Sequence, residues 1–164
     1  MKVLGIDPGT AACGYGIVTA NGGRLSAVDH GWWKTHAREA PERRLKQIHD
    51  EVAALIAEHD PDAVVLEESY VGADARIALF VGQARGAVLV ACASAEVACA
   101  EYAPATVKKT VCGYGRAEKD QVGRMVKAIL GLPEVPAPDH AADALAVAIC
   151  HALASPLQRL AVAR

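Results

Sequence analysis

Val3-Leu4-Gly5-Ile6-Asp7-Pro8-Gly9 is a short apolar run that ends on a carboxylate and a turn. Four apolar residues closed by Pro-Gly read as a buried strand followed by a reversal of the chain. An acid at the last strand position lies at the strand's C-terminal end, where α/β proteins place their ligands. Working outward, Gly14-Tyr15-Gly16-Ile17-Val18-Thr19 predicts a second strand, and Asn21-Gly22-Gly23 is a strong hairpin signal. A third strand follows over roughly residues 25–35. These three strands form an antiparallel meander.

Leu45, Ile48, Val52, Leu55 and Ile56 then recur at helical spacing with charges between them. They predict an amphipathic helix over about residues 41–59, stopped by Asp60-Pro61-Asp62. Ala63-Val64-Val65-Leu66 is another apolar strand, and it too ends on acids, Glu67-Glu68. A helix over about residues 74–94 carries Ile77, Val81, Ala84 and Val88 on one stripe. Val97-Ala98-Cys99-Ala100 reads as a fifth strand. Pro104 to Cys112 and Glu118 to Leu130 are shorter helices. Pro133, Pro136 and Pro138 stiffen the connection into a last helix from Asp139 to Ala154. The expected class is α/β, with a five-stranded mixed sheet: three meander strands plus two parallel ones, a right-handed crossover, and helices on both faces.

The chain has 164 residues, enough for one compact domain over residues 1–164. Hydrophobic residues make up 52% and charged residues 22%, which excludes a disordered chain. Aromatics are only 4%, so the core must be built from Val, Leu, Ile and Ala. No uninterrupted apolar stretch reaches the ~18–20 residues needed to span a bilayer. The start, Met1-Lys2-Val3-Leu4, lacks a signal peptide's long apolar region. A cytoplasmic protein without membrane association is expected. Cys13, Cys92, Cys99, Cys112 and Cys150 are odd in number and contain no C-x-x-C pair, which favours buried reduced thiols over disulfides or a structural zinc.

Net charge is −2, whereas a nucleic-acid binder is usually basic. The distribution matters more than the sum. Residues 1–103 hold nine Lys and Arg against fourteen Asp and Glu. Residues 104–128 reverse this, with Lys108, Lys109, Arg116, Lys119, Arg124 and Lys127 against Glu118 and Asp120. A basic surface beside an acidic one suits a metal-using enzyme of nucleic acids, and it equally describes a solvated helical face.

If the first and fourth strands are neighbours, Asp7 and Glu67 project at the same sheet edge. Asp139, His140 and Asp143 open the last helix, and spacings of three and four residues put side chains on one face. Beyond them, Ala144-Leu145-Ala146-Val147-Ala148-Ile149 reads as buried. Two strands and a helix can therefore converge on a carboxylate cluster. Such a cluster repels itself unless a cation fills it, and carboxylates with room for water suit Mg²⁺ or Mn²⁺. Each residue also has a plainer role: Asp7 as a turn residue, Glu67 as an ion-pair partner, Asp139 as a helix N-cap, Asp143 as an acid favoured by the helix dipole.

Several segments resemble the RuvC family of Holliday junction resolvases. Gly5-Ile6-Asp7-Pro8-Gly9-Thr10 with Gly14-Tyr15-Gly16 looks like the family's opening, and Leu66-Glu67-Glu68-Ser69-Tyr70 and Gly82-Gln83-Ala84-Arg85-Gly86 are similar to later segments. So are Val107-Lys108-Lys109-Thr110-Val111, Gly113-Tyr114-Gly115, Ala117-Glu118-Lys119 and His140-Ala141-Ala142-Asp143-Ala144-Leu145-Ala146. They occur in the family's order along nearly the whole chain.

The resemblance implies an RNase H-like fold, a homodimer, and metal-dependent cutting of two opposed strands of a four-way junction. By that resemblance Asp7 bridges two ions of Mg²⁺ or Mn²⁺, Glu67 holds one, and Asp143 with His140 holds the other. Lys119, and with it Lys108, contacts the scissile region. Tyr70 stacks on a base near the junction centre. Lys109, Arg116 and Arg76 join the DNA contacts, and helix 74–94 supplies much of the dimer interface. A RuvA–RuvB branch-migration complex is the implied partner.

Two residues depart from the familiar pattern. Histidine stands at 140, where many members carry aspartate, and tyrosine at 70, where phenylalanine is usual. Imidazole is a better ligand for Mn²⁺ than for Mg²⁺, and it can also serve as a general base. Gly-Ile-Asp-x-Gly-Thr also resembles the phosphate-binding turn of actin-like and sugar-kinase ATPases, which need two such domains where this chain has room for one.

Overall fold

The computed structural model describes residues 1–36, 38–68 and 75–154. Its elements in chain order are β1 (Lys2–Asp7), β2 (Ala12–Asn21), β3 (Arg24–Lys34), α1 (Pro41–His59), β4 (Ala63–Glu67) and α2 (Ala75–Ser94). They are followed by β5 (Cys99–Tyr102), α3 (Pro104–Cys112), α4 (Lys119–Leu130) and α5 (Asp139–Leu153). The strands form one sheet in the order β3-β2-β1-β4-β5. β1, β2 and β3 are the antiparallel meander, and β4 and β5 run parallel to β1.

Alternation along each strand decides what lies on each face. Leu4, Ile6, Ile17, Val64 and Leu66 pack beneath α1 and α2, with Ile48, Val52, Ala84 and Val88. Val3, Val18, Val65, Ala100 and Tyr102 pack on the other face with α3, α4 and α5. α5 is the central helix of that layer: Ala141, Ala144, Leu145, Ala148 and Ile149 are fully buried. An almost featureless Ala-rich helix can lie this close to the sheet because few of its side chains hold it away.

Three expectations are corrected. The fifth strand begins two residues later than the apolar run and continues through Glu101 and Tyr102. Its polar ends are paired where the sequence shows only polarity: Glu101, buried, forms an ion pair with Arg85 of α2, and the Tyr102 hydroxyl lies 2.9 Å from His151 Nδ1 of α5. Second, Asp139 is not the cap of α5. Pro138 holds the N-cap position in extended geometry and no side chain caps the helix, so Asp139 is its first helical residue, placed favourably for the dipole. Third, the predicted stripe of α2 is only half buried. Ala84 and Val88 are in the core, but Ile77 on the same stripe is 62% exposed, and Leu79, Phe80, Leu89 and Val90, spread around the helix, are exposed as well. By length and composition α2 could cross a membrane; Arg76, Gln83 and Arg85 interrupt it, and Arg85 is tied to the sheet. The five cysteines are free thiols.

Candidate active site

Asp7 is the last residue of β1 and pairs with Gly14 of β2. Glu67 is the last residue of β4, one step beyond Leu66, which pairs with Ile6. Both carboxylates therefore sit at one end of two adjacent strands. Parity puts both on the α5 face, because Val3 and Val65 point there.

What brings α5 to them is the absence of side chains beneath it. A Cβ on Gly5 would stand 2.0 Å from the Ala144 carbonyl oxygen, and one on Gly14 would stand 2.1 Å from that of His140. Only glycine permits this approach of helix backbone to sheet. The first turn of α5 thus rests directly on β1 and β2. From there His140 Nδ1 reaches Asp7 Oδ2 at 2.6 Å, a distance at which the ring N–H donates to the carboxylate. Asp143, one turn later, accepts a hydrogen bond from Lys119 Nζ at 3.3 Å, from the first residue of α4.

The β1–β2 turn that follows Asp7 is clamped from α1. Arg44 donates from Nη2 to the Thr10 carbonyl at 2.5 Å and from Nε to Thr35 Oγ1 at 2.9 Å, and Thr35 Oγ1 also donates to Thr10. Nothing local in the sequence marks Arg44. On the polar side of an amphipathic helix it looks like any solvated charge until the turn is placed above it.

The electrostatics are those of a carboxylate cluster short of positive charge. The Glu67 carboxyl is pushed up to about 7, first by burial and then by the charges of Asp143 and Asp7, with Lys108 and Lys119 opposing. Burial also raises Asp143, Lys119 offsets part of this, and Asp7 adds to it. Lys119 is shifted up in turn, chiefly by the Asp143 charge. Among the described residues no three of these side chains close on a single point. Asp7 is engaged by the imidazole and Asp143 by the ammonium instead. Hard oxygen donors of which Glu67 and Asp143 are pushed toward protonation are the donor set that a divalent cation stabilises.

The structure thus brings together Asp7, Glu67, His140, Asp143 and Lys119, with Lys108 within electrostatic reach of Glu67. Lys109 and Arg116 are exposed on and after α3, and Arg76 is exposed in the first turn of α2. The hydrogen bonds at Asp7 and Asp143 come from His140 and Lys119. Tyr70 lies outside the described residues.

Comparison with known proteins is consistent along the chain. The family model "Crossover junction endodeoxyribonuclease RuvC" matches residues 3–151. The protein of that name from Desulfitobacterium hafniense is 49% identical over 152 residues, covering 93% of this chain and 92% of its relative. The solved structure of Thermus thermophilus RuvC superposes with a TM-score of 0.88 at 38% identity, covering 100% of this chain and 99% of the other. A structure of the Thermus thermophilus protein in complex with a Holliday junction substrate matches with a TM-score of 0.88 at 36% identity, over the same shares of the two chains. The five-stranded mixed sheet between two helical layers is accordingly the RNase H-like fold, and the chain belongs to the RuvC family of crossover junction endodeoxyribonucleases.

Proposed function

We propose that this chain, folded as one domain over residues 1–164, is an endonuclease that resolves four-way DNA junctions in recombination and repair. It cuts two opposed strands to leave 5′-phosphate and 3′-hydroxyl ends. The observation that supports this most directly is the electrostatic proximity of Glu67, at the end of β4, to Asp7 of β1 and Asp143 of α5, with His140 on Asp7 and Lys119 on Asp143.

Asp7, Glu67, Asp143 and His140 are the residues that would hold two divalent ions, Mg²⁺ or Mn²⁺. When bound, such a pair neutralises charge on the attacking and leaving oxygens of an in-line phosphodiester displacement. The protein's own groups do the rest. Nδ1 of His140 is directed at Asp7, which leaves Nε2 either to ligate or to accept a proton from the attacking water. Lys119 is 66% exposed by its side chain and brings a cation to the rim, where charge develops on the phosphate. Lys108, Lys109, Arg116 and Arg76 would bind the DNA backbone, and Tyr70 would stack on a base.

The exposed apolar side chains of α2, Ile77, Leu79, Phe80, Leu89 and Val90, support a contact between two copies of the chain, which would present two active sites to two strands. Family membership further supports a cytoplasmic enzyme working with a RuvA–RuvB branch-migration complex.

The deciding experiment is strand cleavage of a synthetic four-way junction beside a linear duplex of the same sequence, in Mg²⁺, Mn²⁺ or EDTA. Paired, metal-dependent nicks confined to the junction are expected. Junction binding without cutting in any metal would reduce the chain to a junction-binding module.

A further inference from the structure

Trp32 is a large side chain that the proposed chemistry does not use. It lies on β3 opposite Gly14 of β2, and Gly14 lies opposite Asp7 of β1. Directly opposed residues of an antiparallel ladder share a face. Asp7, Gly14 and Trp32 therefore form one row across the catalytic end of the sheet, on the α5 face. His140 stands over Gly14, the empty middle position. With strands about 4.8 Å apart, the Trp32 backbone is about 10 Å from that of Asp7.

The two adjacent tryptophans have opposite fates. Trp33 points to the other face and packs on Tyr15, ring centroids 5.2 Å apart. Trp32 is 37% exposed. Lys34 returns to the face of Trp32 and holds its ammonium 4.8 Å from the indole centroid. Among the described residues Lys34 makes no ion pair, so its charge is open to an external anion. A partly exposed indole with a cation beside it that makes no ion pair among the described residues, in line with the carboxylates, matches a nucleotide: a base to stack and a phosphate to pair.

We infer that Trp32 and Lys34 form a nucleotide subsite on β3 that grips the strand being cut, within about three base-pair steps of the reacting phosphate at ~3.4 Å per step. The inference rests on the nuclease reading above. Bases in an intact duplex are stacked on each other and offer no face to Trp32. Unstacked bases at a branch point do. Trp32 therefore contributes to preference for branched DNA, whereas Lys34, meeting phosphate, contributes to all DNA binding.

The test is binding of a labelled four-way junction and of a matched linear duplex in EDTA, with cleavage of the junction in Mg²⁺ and Mn²⁺ alongside. Trp32→Ala should weaken junction binding about tenfold, the scale of one lost base stack, and leave duplex binding unchanged. Trp32→Phe should keep most of the affinity. Lys34→Ala should weaken both DNAs alike and lower the slope of log affinity against log salt by about one. Indole fluorescence should be quenched by junction in the wild type, and the quench should be lost in Trp32→Phe. A melting temperature for Trp32→Ala near the wild type's separates lost binding from lost fold. If the wild type binds and cuts the junction while Trp32→Ala binds it equally well, the subsite is wrong and the nuclease reading stands. If Trp32→Ala instead changes only the self-association of the free protein, Trp32 is a subunit contact and the subsite is again wrong. If the wild type neither binds nor cuts, both readings fall together.

Discussion

His140 Nδ1 and Asp7 Oδ2 meet at 2.6 Å although 133 residues separate them in the chain. The contact joins the first turn of the last helix to the end of the first strand. It is possible because glycines at 5 and 14 let the helix backbone settle on the sheet. The imidazole of His140 is therefore bonded to Asp7, one of the carboxylates that would hold divalent ions.

Replacing Asp7 by Asn removes one carboxylate and keeps its shape. Cleavage should fall by at least ~10²–10³-fold, the scale on which a single electrostatic element of a catalytic site acts. Junction binding should persist or tighten, since one negative charge beside the DNA is gone. Gel-shift and cleavage assays on the same preparation check this. Loss of binding together with cutting would make Asp7 a folding residue.

Imidazole at 140 should make Mn²⁺ at least as effective as Mg²⁺ in supporting cleavage. His140→Asp should move the preference toward Mg²⁺, because the site then presents oxygen donors alone. Initial rates across a titration of each metal decide the matter, and clearly weaker cutting of the wild type in Mn²⁺ would remove the ligand role.

Lys119→Ala should slow cleavage more than it weakens binding. The ammonium bonds Asp143 at the active-site rim and not at a distance from it. Single-turnover rates with saturating enzyme separate the two effects. An unchanged bound-state rate with a uniform loss of affinity would make Lys119 a plain phosphate contact.

Glu67 makes the metal-free protein sensitive to pH. Its carboxyl titrates near 7 in the fold, above its ordinary value of 4.5. A group raised in this way is tolerated while protonated and costs stability once ionised. In EDTA, stability should therefore fall as pH rises from about 4.5 to beyond 7, by on the order of 1–2 kcal/mol after allowing for partial solvation. Glu67→Gln should flatten that profile and raise the melting temperature at pH 8 by several degrees. Divalent metal should stabilise the wild type at pH 8 more than the variant. A wild-type melting temperature in EDTA that does not change over this range would contradict the crowding of charges inferred at the site.

Gly5→Ala is the test of how α5 is seated. A methyl group there meets the Ala144 carbonyl at 2.0 Å, so helix and strand must part. A loss of about 1–3 kcal/mol in stability is expected from overpacking, with cleavage reduced because His140 and Asp143 ride on the same helix. Full activity with unchanged melting would show that the helix has slack.

Much of the architecture is legible locally. Residues 41–59 and 104–112 have the bounds expected from helical periodicity and from Pro at the helix start. The meander is readable from alternating runs and the Asn21-Gly22-Gly23 hairpin signal, and the acids at 7 and 67 from their place after apolar runs. The end of β5 is not legible locally, because apolarity stops at Ala100 whereas Glu101 and Tyr102 stay in the sheet through partners on α2 and α5. Nor is the place of Asp139, because Pro138 takes the cap position in extended geometry and leaves the acid inside the helix.

The periodic elements, their order and the identity of the acids follow from local sequence, because apolar spacing and turn chemistry act over a few residues. Which of those acids meet, that Arg44 clamps the Thr10 turn, that Lys119 faces Asp143, and that Trp32 rather than Trp33 is open to solvent depend on the packed fold. Each of these depends on strand register or on how closely a helix approaches the sheet. Those are long-range quantities, set by parity and by missing side chains such as those of Gly5 and Gly14, and they become readable only when distant segments are laid side by side.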